Sequence, residues 1–208
     1  MRRFIPLALT AMLAYAAAAN AASDPRTVPA FTGVSNSGPL DVTVTVGQAQ
    51  SVVVSGDDKY VPEVRTEVVN GELQVSMKSH TFSNIHDLRV TIAVPQLTRY
   101  TMSGAGSTTL AHLAGDALTI DCSGAGSLKA DGQVKSLKLD VSGVGSIDTR
   151  ALSAQSANVS VSGVGSVKLT ATDTLVADVS GVGSLTYYGH PKNVKKSASG
   201  VGSVHAGD

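Results

Sequence analysis

Tryptophan is absent, and the 208 residues hold one cysteine, three phenylalanines and five tyrosines. With so few rings, and none in a stripe, the chain has no platform for stacking bases or sugars. A single cysteine, Cys122, excludes an internal disulfide, so an exported protein of this size has to rest on a sizeable buried core. Only 15% of residues are charged, and the basic and acidic totals are equal at 16 each. No basic cluster stands out, which argues against nucleic acid as a partner. Catalytic signatures are missing as well. There is no Gly-x-Ser-x-Gly elbow, and no glycine-rich segment is followed by the Lys-Ser or Lys-Thr of a phosphate loop. The histidines, His80, His86, His112, His190 and His205, show no metal-ligand spacing, and scattered surface histidines are the better reading even for the His80–His86 loop. Gly56-Asp57-Asp58-Lys59 reads as a turn without the further oxygen donors of a calcium loop. No cofactor and no metal are expected.

What is present begins with a leader. Met1-Arg2-Arg3 is cationic, Phe4 to Ala19 is almost uniformly apolar, and Ala19-Asn20-Ala21 suits a small-residue cleavage site. Residues 1–21 therefore read as a secretory signal peptide, and the apolar run is shorter than the roughly 20 residues a spanning helix needs. Removing it leaves 14 basic residues against 16 acidic ones and no transmembrane span. The expected location is the periplasm, the cell surface or the medium. Residues 22–208 read as a single domain, with N-terminal strands over 30–100 and repeat coils over 101–208.

Residues 23–38 read as an extended entry segment. Alternating apolar and polar residues predict strands over Leu40–Val46, Gln50–Ser55 and Leu88–Val94. Val64–Val69 and Leu73–Met77 flank Asn70-Gly71, the pair suited to the positive φ angles of a type I′ hairpin turn. The polar segment 79–87 reads as a loop.

The second half is punctuated by one pentapeptide. Ser-Gly-Ala-Gly-Ser occupies 103–107 and 123–127, and Ser-Gly-Val-Gly-Ser occupies 142–146, 162–166, 180–184 and 199–203. The copies start 20, 19, 20, 18 and 19 residues apart, a period that predicts one supersecondary unit stacked on itself. Parity assigns the faces. Tyr100 and Met102, Ile120 and Cys122, Leu139 and Val141, and Val159 and Val161 share a parity with both glycines and with Leu128, Ile147, Val167 and Leu185. That face is the core, and Cys122 is one small core residue in it rather than a catalytic thiol. The central Ala105, Ala125, Val144, Val164, Val182 and Val201 fall on the opposite parity with the serines, as an exposed stripe that could carry an interaction. Two geometries fit. A strand running straight through would let an opposing wall approach the glycines; a glycine corner would reset the phase. We favour the straight strand.

Flanking charges fall into columns. Lys129, Asp148 and Lys168 are expected on neighbouring rungs with alternating sign. Asp121, Asp140 and Asp178 form an acidic column, read as a solvated face, and no arginine is expected to share it. A polysaccharide-active enzyme would need those carboxylates to converge with others in one groove.

The order of these features resembles the bacterial head GIN domain family of autotransporter-adhesin head domains. The resemblance rests on Phe31-Thr32-Gly33-Val34, the strand pair around Val42 to Val54, Asn70-Gly71-Glu72-Leu73, the segment Leu88 to Leu97, and Ser103-Gly104-Ala105-Gly106-Ser107 with its later copies. It spans about residues 30–205. The resemblance implies a parallel β-helix-like fold in an exported bacterial protein, and it supplies no catalytic residues. The expected fold is all-β, a right-handed parallel β-helix of about six coils behind an N-terminal strand region. The expected function is a non-enzymatic envelope binding or adhesion module whose partner is a glycan or protein. The rivals are a polysaccharide-active enzyme using the aspartate column, and a self-assembling structural protein that forms homo-oligomers through unpaired end rungs.

Overall fold

The computed structural model describes residues 22–78 and 87–207, so residues 1–21, read above as a leader, and both His80 and His86 lie outside the described residues. The described residues form fifteen strands joined in one sheet. In the first half these are β1 (Ala22–Pro25), β2 (Gly33–Asn36), β3 (Asp41–Val46), β4 (Ser51–Gly56), β5 (Val64–Val69), β6 (Glu72–Met77), β7 (Arg89–Val94) and β8 (Arg99–Met102). The repeats supply β9 (Ala105–Cys122), β10 (Ala125–Val141), β11 (Val144–Val161), β12 (Val164–Val179), β13 (Val182–Tyr188), β14 (Asn193–Ala198) and β15 (Ser203–Ala206).

The repeat strands are coils of a parallel β-solenoid of about five turns, with β15 starting one more. Each long strand folds into two arms. The first arms stack as β3, β9, β10, β11, β12, β13 and β15. The second arms stack as β2, β8, β9, β10, β11, β12 and β14. The first-half strands are therefore no separate region: they extend both walls of the same stack, β3 lying between β7 and β9, and β2 between β6 and β8. Only the outermost strands run antiparallel. β4 pairs with β7 and β1 with β4 on one wall, and the β5–β6 hairpin ends the other. That hairpin turns through Asn70 (φ 52°) and Gly71 (φ 78°), the two positive angles its sequence required.

Equivalent positions meet because the copies stack in register. Tyr100, Ile120, Leu139, Val159 and Ala177 form one buried column, and Leu128, Ile147, Val167 and Leu185 another. Fully burying each large aliphatic contributes about 1.5–3 kcal/mol, set against the entropy of ordering its coil. Where a hydroxyl enters the core it is satisfied: the Tyr100 and Thr108 hydroxyls lie 2.7 Å apart, and Thr149 donates to the Lys168 carbonyl at 3.0 Å.

The pentapeptide combines elements of both expected geometries. The strand breaks at each Ser-Gly, so the motif is a corner between the second arm of one coil and the first arm of the next. The phase does not reset: Met102 and Thr108 are both buried across the first corner, while Ser103, Ala105 and Ser107 stay exposed. What approaches the glycines is the coil beneath, not an opposing wall. A Cβ on Gly124, Gly143 or Gly163 would fall on the carbonyl oxygen of the glycine one coil back. The backbone ladder also continues round the corner, with Ser142 N–H donating to the Cys122 carbonyl at 2.8 Å and Val144 N–H to the Gly124 carbonyl at 3.0 Å.

Candidate functional site

Outward parity kept through each corner produces a ridge. Ala105, Ala125, Val144, Val164 and Val182 lie in register on successive coils, and Val201 follows at the open end. All six are exposed, the four valines by 60%, 50%, 56% and 80% in chain order. Serines flank the column on both sides. Ser107 and Ser127 approach within 3.3 Å through their hydroxyls, as do Ser146 and Ser166, while Asp41 of β3 accepts the Ser107 N–H at 2.9 Å. The ridge is thus a narrow aliphatic line between hydroxyl ladders that partly bond to themselves.

Asp121 and Asp140 lie in register on adjacent coils, as expected. No arginine shares the column, where Thr101 is the register partner of Asp121, but Arg99, opposite Thr119 in the neighbouring column, reaches across to Asp121 at 2.9 Å. The pairing was hidden because Arg99 precedes the first pentapeptide. Lys138 pairs with Asp140 at 2.9 Å, and Asp178 is exposed two coils further along. These carboxylates sit on an outer wall with a cation each for the first two, so no pair converges on a point where a substrate would be held. Lys129, Asp148 and Lys168 are in register too. Asp148, however, is occupied by Arg150 of its own coil in a two-pronged contact at 2.6 and 2.9 Å, which holds its carboxyl down to about 2.

Sequence reasoning missed a third surface. Between the two arms of each coil lies a bend, and the bends of five coils together line an open groove of about 680 Å³. Its walls carry Asp116, Gln133, Lys135, Gln155, Asp173 and Lys192, with Ser153 and Thr172 between them. Ala114, Gln133 and Ser153 are in register there. The chain's length differences fall at the same place, since register shifts separate Lys129 from Asp131, Thr149 from Ser153 and Ala154 from Ser156. The unequal spacing of the copies points to turns such as Gly115-Asp116 and Asp131-Gly132 at these bends, but no repeated motif marks a surface there.

Inside the solenoid the reactive side chains are inert. Cys122 is buried, and that burial, with the Asp121 charge adding to it, pushes the thiol up to about 12. Burial likewise raises the Tyr100 hydroxyl above its ordinary value. Among the described residues no three of His, Cys, Asp and Glu gather into a metal-binding group.

Fold and surfaces together define a class: a parallel β-solenoid that presents an exposed aliphatic ridge and an open polar groove. Residues 30–191 match the family described as "Putative auto-transporter adhesin, head GIN domain", and the chain belongs to that family. The match ends before β14, so the final coil lies outside it. Among solved structures, a "putative adhesin" from Bacteroides fragilis is 24% identical, with a TM-score of 0.75 over 91% of this chain and 98% of its own. A "putative adhesin" from Parabacteroides distasonis is 20% identical, with a TM-score of 0.54 over 90% of this chain and 97% of its own. A "putative lipid binding protein" from the same species, also 20% identical, has a TM-score of 0.50 over 91% and 98%. At these identities the likeness establishes fold alone. No curated protein matches the chain.

Proposed function

We propose that the protein is an exported, non-enzymatic binding or adhesion module of the bacterial cell envelope. The observation that carries the reading is the valine ridge. Four exposed valines in an unbroken column cost solubility, and a stack free of partners has no physical reason to keep them outside. Family membership and the adhesin descriptions of its structural neighbours support the same class. An N-terminal leader fits export, and no helix among the described residues is long and apolar enough to cross a membrane. The aspartate column favours catalysis less, because Asp121 and Asp140 are held by Arg99 and Lys138 on an open wall.

The test is retention of the purified protein on bacterial envelope fractions, beside a variant carrying Val164→Asp and Val182→Asp. Both positions are exposed, so the variant keeps its fold, and the expected result is loss of retention. No retention by the unmodified protein, or retention untouched by the two aspartates, refutes the ridge as the contact. Turnover of any glycan that disappears with Asp121→Asn or Asp140→Asn would replace this reading with an enzymatic one.

A further inference from the structure

From the groove across the bends we infer that the protein carries a second binding site, for a neutral, hydroxyl-rich oligosaccharide lying along the solenoid axis. The inference deepens the binding-module reading by naming a site and a ligand class, and it depends on no property of the valine ridge. Size comes first. A volume of about 680 Å³ falls within the range of small-molecule sites, roughly 300–1,000 Å³, and the groove crosses five coils spaced about 4.8 Å apart. It is long and shallow, the shape for a short stretch of a linear chain.

Charge narrows the chemistry. The groove holds two aspartates and two lysines, and they neutralise one another across coils: Lys135 lies 2.7 Å from Asp116 and Lys192 3.5 Å from Asp173. The first of these contacts lowers the Asp116 carboxyl and raises the Lys135 ammonium from their ordinary values, as a formed pair does. No field of one sign remains to draw in an acidic polysaccharide or a nucleic acid.

Hydrogen bonding then selects the ligand. The two ion pairs mark the ends, and between them stand Gln133, Ser153, Gln155 and Thr172. Thr172 is engaged with the Ala154 carbonyl at 3.4 Å. The Gln133 and Gln155 amides and the Ser153 hydroxyl have no side-chain partner among the described residues. Each of the three both donates and accepts, as sugar hydroxyl and acetamido groups do. An extended peptide fits less well. The central rung at Gln133 and Val134 is already paired on both sides, so a peptide could add only at the outer rungs and not along the groove, and the floor offers only Ala114, Gly115 and Val134 rather than side-chain pockets. No aromatic ring lines the groove, so binding rests on hydrogen bonds and is weak.

The experiment titrates the purified protein with a panel of neutral tetrasaccharides built from hexoses and N-acetylhexosamines, beside oligogalacturonate and an extended poly-alanine-serine peptide, by heteronuclear NMR. At least one neutral member is expected to bind with a Kd of about 1 mM or tighter, shifting the Gln133 and Gln155 side-chain amides. Replacing both residues, Gln133→Ala with Gln155→Ala, should weaken it about tenfold, from the loss of two or more neutral hydrogen bonds. Raising the salt to about 0.5 M should leave that affinity within about twofold, because no net charge is being screened. Both glutamines are exposed, and an unchanged melting temperature shows that the variant is folded. Absence of binding by every neutral member, binding indifferent to the two alanines, or preference for oligogalacturonate or the peptide overturns the inference. Absence of neutral-glycan binding alongside envelope retention that still depends on Val164 and Val182 would sink this site and leave the binding-module reading standing.

Discussion

Replacing Gly143 by alanine isolates the close approach that the repeat imposes. The added Cβ would land on the Gly124 carbonyl oxygen and within 2.9 and 3.0 Å of the Ser123 and Gly124 carbonyl carbons. All of these are backbone atoms, so no side chain can swing aside. The two coils must part locally, which strains the Ser142-to-Cys122 and Val144-to-Gly124 hydrogen bonds. Two such bonds contribute about 0.5–1.5 kcal/mol each, and overpacking a tight site costs roughly 1–3 kcal/mol. Against this, alanine stiffens the unfolded chain by about 0.4–1 kcal/mol. The net expectation is a loss of roughly 3 kcal/mol. For a chain of this size that lowers Tm by about 6–12 °C.

Two comparison variants separate space from conformation. Gly115 has φ +150° and nothing within 4 Å of its notional Cβ, so Gly115→Ala tests backbone angle alone, at about 1 kcal/mol. Val144→Ala touches only the exposed ridge and should stay within about 0.5 kcal/mol of the parent. Urea and thermal melts followed by far-UV circular dichroism give all three values; with no tryptophan, fluorescence is a poor probe. If Gly143→Ala came within about 0.5 kcal/mol of the parent, or cost no more than Gly115→Ala, the stacked-carbonyl account of the motif would be wrong.

Other consequences follow from single residues. Cys122, buried with its thiol pushed up to about 12, should resist alkylation in the native state and react along the urea unfolding curve; labelling at the rate of a free thiol in buffer would contradict its burial. Asp148 is held at about 2 against an ordinary 3.8, so its contact with Arg150 stabilises the fold above about pH 4 and is lost as pH falls toward 2. Because the pair is largely solvated, the effect is under about 1 kcal/mol, and the stability difference between parent and Asp148→Asn should vanish by about pH 2; a difference constant with pH refutes it. Lys196, on the edge strand β14, occupies the register position of buried Ala177 and opposes pairing with another chain. Lys196→Leu should therefore introduce concentration-dependent association in light scattering, and a monomer at every concentration would show that this lysine is not what protects the edge.

Much of the fold was legible because it repeats. A register that returns every 18 to 20 residues let parity alone place Tyr100, Ile120 and Leu139 inside and Val144 and Val164 outside. The hairpin at Asn70-Gly71 was legible for a different reason, since a two-residue turn is a local event. The first half was less so. β2 finds its partners in β6 and β8, and β3 in β7 and β9, across separations that no local pattern encodes. The same blindness hid the contact between Arg99 and Asp121. The groove was illegible because Gln133, Ser153 and Thr172 belong to bends of unequal length, and only the stack brings them together.

The two kinds of surface on this molecule therefore answer to different constraints. At the corner, each glycine rests on the carbonyl of the glycine below, so a change in one coil must be matched in its neighbour. That coupling keeps glycine at the corner of every coil and holds the exposed Ala or Val between the glycines in register, which gives a ridge of uniform aliphatic character. At the bend the ladder tolerates register shifts, so each coil can carry its own side chain: Ala114, Gln133 and Ser153 are unlike residues in one register, and Thr172 lies beyond a shift. Uniformity suits avidity, where a ridge repeats one weak contact many times. Discrimination among ligands needs unlike groups at fixed spacing, and only the bends are free to supply them. A solenoid whose corners are locked by glycine will thus express its specificity through its bends, where the repeat relaxes.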